Sequence, residues 1–333
     1  MVGIILIIIT GIGCRTDKNE NLTVIQGNIE VPLHDKIYFY SYPDSESMFL
    51  ANMEAMDSST LDKDGNFILT PVCKKPFIFN LVHGNQDLAT NLFLLSGNKI
   101  TINFRDKNNQ PEVFPSGEEA KFTAYLINFL DTFYKEPATK QEYYIATNYM
   151  DIHQFRSYCE KREQKQFDFF NDYFKNDSLN LEFKFFAHNT IQYGIAVDKL
   201  MYVWKKRMKG EIVAADSSYF SFETPSFIEN KDAFSCPSYI RFLNLYIKDT
   251  YERMVERGEF QFEKSKTVVP QVEKFKLAFQ LLHKPYRDVV IYTIILGDMN
   301  DLDKINHVPR SYNTSLDSMI AWFESKYSLN SFQ

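Results

Sequence analysis

The chain has 333 residues, of which 44% are hydrophobic and 24% charged, and its formal net charge is −6. This balance is ordinary for a globular protein, and the length predicts two domains. Proteins that bind nucleic acid need a basic face to neutralise phosphates. Because Lys and Arg are spread along an acidic chain, the composition excludes nucleic acid as a partner.

The N-terminal segment predicts export and a lipid anchor. The run MVGIILIIITGIGC is apolar, too short to span a bilayer as a helix, and followed by the polar stretch RTDKNENLT. Its end, Thr10 to Cys14, resembles a bacterial lipobox, where cleavage precedes a lipid-modified cysteine. We therefore predict a lipoprotein signal peptide over 1–13, lipidation of Cys14 and a tether over 14–21, so that the lipid attaches the protein to the membrane. The alternative is a buried N-terminal strand with an unmodified cysteine.

Residues 22–110 predict an antiparallel β-domain. Short runs of β-branched and aromatic residues alternate there with turn residues, a pattern typical of a small sandwich or barrel. The Asp64-Gly65 step predicts a hairpin turn, since glycine accepts a positive φ without strain. The phrase beginning at Asp62 resembles the start of a calcium loop, but Cys73 stands at the twelfth position, where such a loop requires Glu.

Residues 118–333 predict an all-helical domain. The apolar period changes from two to about 3.6 in the Pro- and Gly-containing segment 111–117, which we interpret as the boundary between the domains. One helix is expected to begin at Pro237, a residue suited to the first helical position. The predicted helices cover approximately 118–133, 152–174, 180–208, 237–250, 270–283, 286–298 and 315–327. The predicted fold class is therefore α+β, a small β-sandwich or barrel-like domain followed by helices.

The sequence contains no motif that predicts a catalytic or metal centre. Its six histidines are scattered and lack the HxH, HxxxH or HExxH spacing typical of zinc ligands. The glycine motifs of NTPases, dinucleotide enzymes and serine hydrolases are also absent from it. We therefore predict no metal, no cofactor and no enzymatic activity for this chain.

The cysteines bear on redox chemistry. Cys73, Cys159 and Cys236 are far apart, so the CxxC pair of thiol–disulfide oxidoreductases is missing. Cys236 directly precedes the predicted helix at Pro237, where the dipole and free amides would lower the pKa of its thiol, and it is the candidate reactive thiol. The alternative is that Cys236 fills an apolar core, as cysteines commonly do. Folding could also pair Cys159 with Cys236 in a disulfide.

Several phrases, taken together, resemble a known family. They are Gly27-Asn28-Ile29, Asp57-Ser58 with Leu61 to Phe67, Phe93 to Ile102, Ser235 to Leu243, and Tyr286-Arg287-Asp288. Behind a lipobox, this order is similar to the N-terminal part of TlpA-like thioredoxin-family lipoproteins of Bacteroidota. The resemblance implies a β-domain of unknown function and a helical segment that precede a thioredoxin domain with a WCxxC motif. The sequence reaches Gln333 without that motif, so the resemblance carries over no catalytic residue.

Three functional expectations follow. The leading one is a lipid-anchored envelope protein, facing the periplasm or the cell surface, with a non-catalytic binding or accessory role toward an envelope protein or ligand. A second is participation in periplasmic thiol–disulfide exchange, through Cys236 or a separately encoded thioredoxin domain. A third is glycan or peptide capture in nutrient uptake, suggested by the predicted lipid anchor and by aromatic residues expected at the surface. The sequence leaves the ligand and the membrane open.

Overall fold

A computed structural model describes residues 22–41, 54–72, 77–84, 86–107, 110–117, 120–211, 213, 215–259, 270–302 and 321. The predicted signal peptide, tether and lipidation site at Cys14 lie outside the described residues, as does Cys73. The helix predicted at about 315–327 falls almost entirely outside them as well.

The N-terminal part of the described chain is a β-sandwich. Its strands are β1 (Val24–Ile29), β2 (Lys36–Ser41), β3 (Glu54–Thr60), β4 (Asn66–Leu69), β5 (Phe77–His83), β6 (Gln86–Leu94), β7 (Lys99–Lys107) and β8 (Gln110–Ser116). They form two four-stranded sheets, ordered β4-β1-β7-β8 and β3-β2-β5-β6. Ile25 and Ile102 from the first sheet share one buried core with Phe39 and Phe79 from the second. The predicted α+β class with an N-terminal sandwich is confirmed.

One strand pair departs from the antiparallel pattern. β1 and β7 run parallel, with Gly27 opposite Ile102. A Cβ atom at Gly27 would lie 1.8 Å from the Ile102 carbonyl oxygen, so only glycine allows the two backbones to approach this closely. The parallel pairing is possible because the chain passes through the second sheet between these strands, and parallel neighbours require such a long connection.

The turn predicted at Asp64-Gly65 is present but does not form a hairpin. β3 pairs with β2 and β4 pairs with β1, so the turn carries the chain from one sheet to the other. The Asp62 carboxylate accepts hydrogen bonds from the backbone N–H groups of Asp64 and Asn66, each at 2.9 Å. Hydrogen bonds from the Asn66 side chain, and then from its backbone N–H, lower the pKa of Asp62. The Asp62 carboxylate therefore stabilises a turn.

The segment interpreted as a domain linker belongs instead to the sandwich. Residues Gln110–Ser116 form β8, which pairs antiparallel with β7 and places Pro111 opposite Asp106 and Pro115 opposite Ile102. Because β8 is an edge strand of its sheet, a proline that lacks an N–H group is tolerated there. The β-structure therefore ends at Ser116 rather than at residue 110.

The rest of the described chain is helical. The helices are α1 (Ala120–Leu130), α2 (Pro137–Tyr149), α3 (Ile152–Tyr173), α4 (Leu181–Met208), α5 (Pro225–Ile228), α6 (Pro237–Glu256), α7 (Pro270–Leu281) and α8 (Tyr286–Leu302). A π-helical turn, Asp131–Lys135, continues α1. α6 begins at Pro237 as predicted, whereas α2 and the short α5 were not predicted. In the part of the chain that the structure describes, no helix has both the length and the apolarity to cross a membrane.

The sandwich and the helices share a buried junction. Successive side chains of a strand point to opposite faces, and on β6 Leu92 and Leu94 enter the sandwich core while Phe93 enters the helical core. The Phe93 ring lies 5.2 Å from that of Phe183 and 5.0 Å from that of Phe186, centroid to centroid. Both faces of this sheet are therefore covered, one by the other sheet and one by helices.

Candidate binding site

A cavity of about 210 Å³ opens where the sheet meets the helices. Its walls come from β5, α1 with its π-helical turn, α4 and the first turns of α6. The lining residues are Ile78, Leu126, Phe129, Leu130, Tyr134, Phe186, Thr190, Gly194, Val197, Asp198, Pro237, Ser238 and Arg241. The apolar residues Ile78, Phe129 and Phe186 are buried and form its floor, whereas the polar residues Tyr134 and Arg241 are exposed and mark its opening.

One face of α4 forms the longest wall. Phe186, Thr190, Gly194 and Val197 follow each other at intervals of three or four residues, which places them on one side of a helix. Glycine inside a helix costs about 1 kcal/mol relative to alanine, so Gly194 requires a packing reason. A Cβ atom there would lie only 3.3 Å from the Tyr134 hydroxyl oxygen. Gly194 therefore leaves room for that hydroxyl at the cavity.

The π-helical turn places Tyr134 at the opening. Such turns occur frequently at functional sites, because the extra residue redirects side chains. The turn is held by Arg162, whose guanidinium donates to the Phe133 carbonyl oxygen at 3.1 Å and lies 4.9 Å from the Tyr134 ring centroid. Tyr134 is 39% exposed. Its hydroxyl points inward, and burial of that group raises the pKa of Tyr134, against the opposing effect of the Arg162 charge.

A buried ion pair forms the inner polar wall. The Arg162 guanidinium donates to Asp198 Oδ2 at 2.6 Å, and the Tyr143 hydroxyl donates to Asp198 Oδ1 at 3.1 Å. Burial raises the pKa of Asp198, while Arg162 and then the Tyr143 hydrogen bond act in the opposite direction. Since Arg162 compensates the Asp198 carboxylate at contact distance, the pair adds no net charge to the cavity.

The outer rim is positively charged. Arg241 lies one turn along α6 from Ser238 and is exposed. It makes no hydrogen bond or ion-pair contact with any residue that the structure describes, although its charge acts on Asp198 from across the opening. The cavity thus combines an apolar floor, a neutralised ion pair and a cation at the rim.

Cys236 lies behind this cavity rather than in its wall. It is the N-cap residue of α6, as the sequence predicts, and its sulfur is 3.5 Å from the Thr190 hydroxyl. Burial raises the pKa of the Cys236 thiol and outweighs the hydrogen bonds from Thr190 and the start of α6, which lower it. The predicted lowering of this pKa is therefore wrong, because desolvation exceeds the effect of the helix N-terminus. Cys159 and Cys236 are both free and buried, so the alternative disulfide between them is absent.

A second, wider groove of about 570 Å³ lies between the end of α4 and α6. Its charges are already paired: Arg207 contacts Glu256 at 2.7 Å, and Arg253 contacts Glu223 at 2.7 Å. A charged ligand would have to displace these partners. Within the described ranges, no three His, Cys, Asp or Glu side chains are grouped closely enough to hold a metal ion. The first cavity is therefore the candidate site.

The cavity was not predicted from the sequence. Its lining includes Leu126, Phe129 and Leu130, which the sequence predicts only as an apolar helix face, and Pro237, predicted as a helix start; the candidate thiol Cys236 is the neighbour of Pro237 outside the wall. One local signal was present, namely Gly194 inside an otherwise regular helical pattern, since a glycine there commonly has a packing or functional reason. The other lining residues have the patterns of ordinary core or surface positions.

These features define an α+β protein in which a β-sandwich and a helical layer enclose a small cavity. Residues 23–124 match the family described as Domain of unknown function (DUF4369), and this part of the chain is therefore a DUF4369 domain. The match covers β1 to β8 and the first turn of α1. It includes the cavity floor at Ile78 but not the walls from α4 and α6. No curated protein matches the chain.

Proposed function

We propose that this chain is a lipid-anchored protein of the cell envelope that binds a small ligand and catalyses no reaction. The observation that carries the proposal is the cavity between the sheet and the helices. An apolar pocket with a few convergent polar groups is the usual layout of a ligand site. The Arg162–Asp198 ion pair and the Tyr134 hydroxyl supply these groups, and the thiol of Cys236 is buried behind Thr190.

We also propose that the chain is related to a particular family of lipoproteins. The resemblance to the non-catalytic part of TlpA-like thioredoxin-family lipoproteins of Bacteroidota agrees with a DUF4369 domain at residues 23–124. A role in thiol–disulfide exchange through Cys236 would need an accessible thiolate, whereas burial raises the pKa of this thiol. That alternative therefore depends on a separately encoded thioredoxin domain, and ligand binding is the function we favour.

Filling the cavity opening should abolish binding. We expect 3-phenylpropan-1-ol to raise the melting temperature of the full chain in lipid nanodiscs, since a ligand at ten times its Kd stabilises the folded state by about 1.4 kcal/mol. Ser238 is half-buried at the opening, so Ser238→Trp should remove this stabilisation. The matched control is Ser157→Trp on the exposed surface of α3, which should retain it. Equal stabilisation of both variants would place the binding elsewhere and contradict the proposal.

Replacing Cys14 with serine should release the protein from membranes. The thiol at this position is the expected acceptor of the lipid, and a hydroxyl does not substitute for it. In cell fractionation with a fatty-acid probe, we expect the native chain to be labelled and membrane-bound and the Cys14→Ser chain to be unlabelled. The variant Cys73→Ser, which removes another cysteine, should behave like the native chain. Equal labelling of the Cys14→Ser chain would exclude lipidation at this residue.

A further inference from the structure

The charge distribution around the cavity distinguishes between ligand classes. We propose that the cavity binds a small carboxylate with a benzene-sized apolar tail, the tail on the buried floor and the carboxylate at Arg241. This inference rests on the proposed function and specifies its ligand.

The tail is defined by the size and lining of the floor. Ile78, Phe129 and Phe186 are each at most 4% exposed and form its buried surface. An apolar cavity of about 150 Å³ can hold benzene, so a volume of about 210 Å³ accommodates one ring and a short chain. Sites for drug-sized ligands have volumes of about 300 Å³ or more, so this cavity encloses a smaller group. The aromatic side chains of the lining favour a ring through edge or offset contacts.

The ligand's head group is inferred from Arg241, the charged residue at the rim that has no close partner among the described residues. Asp198 already accepts hydrogen bonds from Arg162 and Tyr143, so its charge is compensated inside the wall. Arg241 lacks a contact partner among the described residues, and its guanidinium is a planar fork that matches a carboxylate. Ser238, in the first turn of α6, also lines the cavity, but its hydroxyl is already hydrogen-bonded to the buried Cys236 thiol, so Arg241 is the group that selects the ligand's head. A ligand ammonium group would be repelled by Arg241, and a neutral alcohol would gain only the packing of its tail.

Three probes that share one phenylpropyl tail but differ in their head group separate the contribution of the tail from that of the head group. The ligands 3-phenylpropanoate, 3-phenylpropan-1-ol and 3-phenylpropylamine would be titrated calorimetrically into the full chain in zwitterionic nanodiscs, with empty nanodiscs subtracted. We expect the carboxylate to bind about tenfold more tightly than the alcohol, the effect of about one charge-assisted hydrogen bond at a partly solvated rim. The amine should bind more weakly than the alcohol.

Variants at the rim then test the assignment of the head group. Arg241→Gln should reduce carboxylate affinity to that of the alcohol and leave alcohol affinity unchanged. The control Arg105→Gln removes an exposed arginine from β7, in the sheet that does not line the cavity, and should change neither.

The outcomes distinguish the two proposals. If the alcohol binds and the carboxylate binds no more tightly, or if Arg241→Gln preserves the preference, the carboxylate inference is overturned while cavity binding stands. If none of the three probes binds, or if Ser238→Trp leaves their binding intact, the proposed function fails and the inference fails with it.

Discussion

Replacing Phe93 with alanine should lower the free energy of unfolding by about 3–5 kcal/mol, the usual cost of removing a buried aromatic side chain. Phe93 is 1% exposed, and its ring contacts those of Phe183 and Phe186 across the junction between sheet and helices. The Thr123 hydroxyl of α1 also donates to the Phe93 carbonyl oxygen at 3.2 Å. Rigid strands and helices surround the ring, so the vacated space cannot collapse and its cost adds to the lost apolar burial.

Urea unfolding of the native chain and two variants measures this effect. The control is Phe114→Ala, because Phe114 is 40% exposed on the edge strand β8 and its removal should cost about 1 kcal/mol or less. If the sandwich and the helices share one core, they should unfold in a single transition, and Phe93→Ala should shift its midpoint to a lower urea concentration. Two transitions, of which only one moves, would show that the sandwich and the helices unfold independently and that the junction contributes little stability.

The sequence partly indicated that helices pack on the outer face of the sheet β3-β2-β5-β6. The strand β5 contains Ile78 and Phe79 in succession, so both of its faces are apolar. A strand with one face in water alternates between apolar and polar residues, whereas a strand buried on both faces is apolar throughout. The structure places Ile78 in the helical core and Phe79 in the sandwich core. The apolar run thus indicated a second covering layer, although not which helices supply it.

Two elements, β8 and α2, were not predicted, because their sequences are explained only by their position in the fold. β8 contains Pro111 and Pro115, which read as linker residues until the strand is known to lie at a sheet edge. α2 buries only Ala146 and Thr147, so it has no apolar stripe with helical spacing. Its one local signal is Pro137 at the first turn, the same signal that correctly marked α6.

The site was unpredictable for a related reason. Arg241 has the appearance of a solvated surface charge, and only the arrangement of α4 and α6 places it beside an apolar opening. For Cys236 the helix start was predicted correctly, but the direction of the thiol pKa shift was not. That direction depends on how completely other elements bury the sulfur, and Cys236 is 0% exposed.

Replacing Arg162 with methionine should destabilise the fold by about 3–5 kcal/mol, because it leaves the Asp198 carboxylate buried without its counter-ion. The Arg162 side chain is 6% exposed and that of Asp198 is 14% exposed. The control on the same helix is Arg156→Met, which removes an ion pair with Glu160, 51% exposed, and a hydrogen bond to the Ser218 hydroxyl, and which should cost only about 1 kcal/mol because no buried charge is left without a counter-ion. The double variant Arg162→Met with Asp198→Leu should regain most of the loss, since it removes both charges from the interior.

The pH dependence of Arg162→Met tests the same mechanism. Burial already raises the pKa of Asp198, and loss of Arg162 removes the largest opposing influence, so the folded-state pKa should rise further. A carboxyl group whose pKa is higher in the folded than in the unfolded state binds its proton more tightly when folded. Its stabilising contribution is complete below the unfolded value of about 3.9 and is lost as pH rises through the folded pKa. Arg162→Met should therefore lose less stability, relative to the native chain, as the pH falls. Urea unfolding from neutral pH down to the unfolded-state pKa of about 3.9 measures this difference. A deficit that is constant with pH, or that the double variant retains in full, would show that Arg162 acts through packing of its side chain against Tyr134 and Tyr143 rather than as the counter-ion of Asp198.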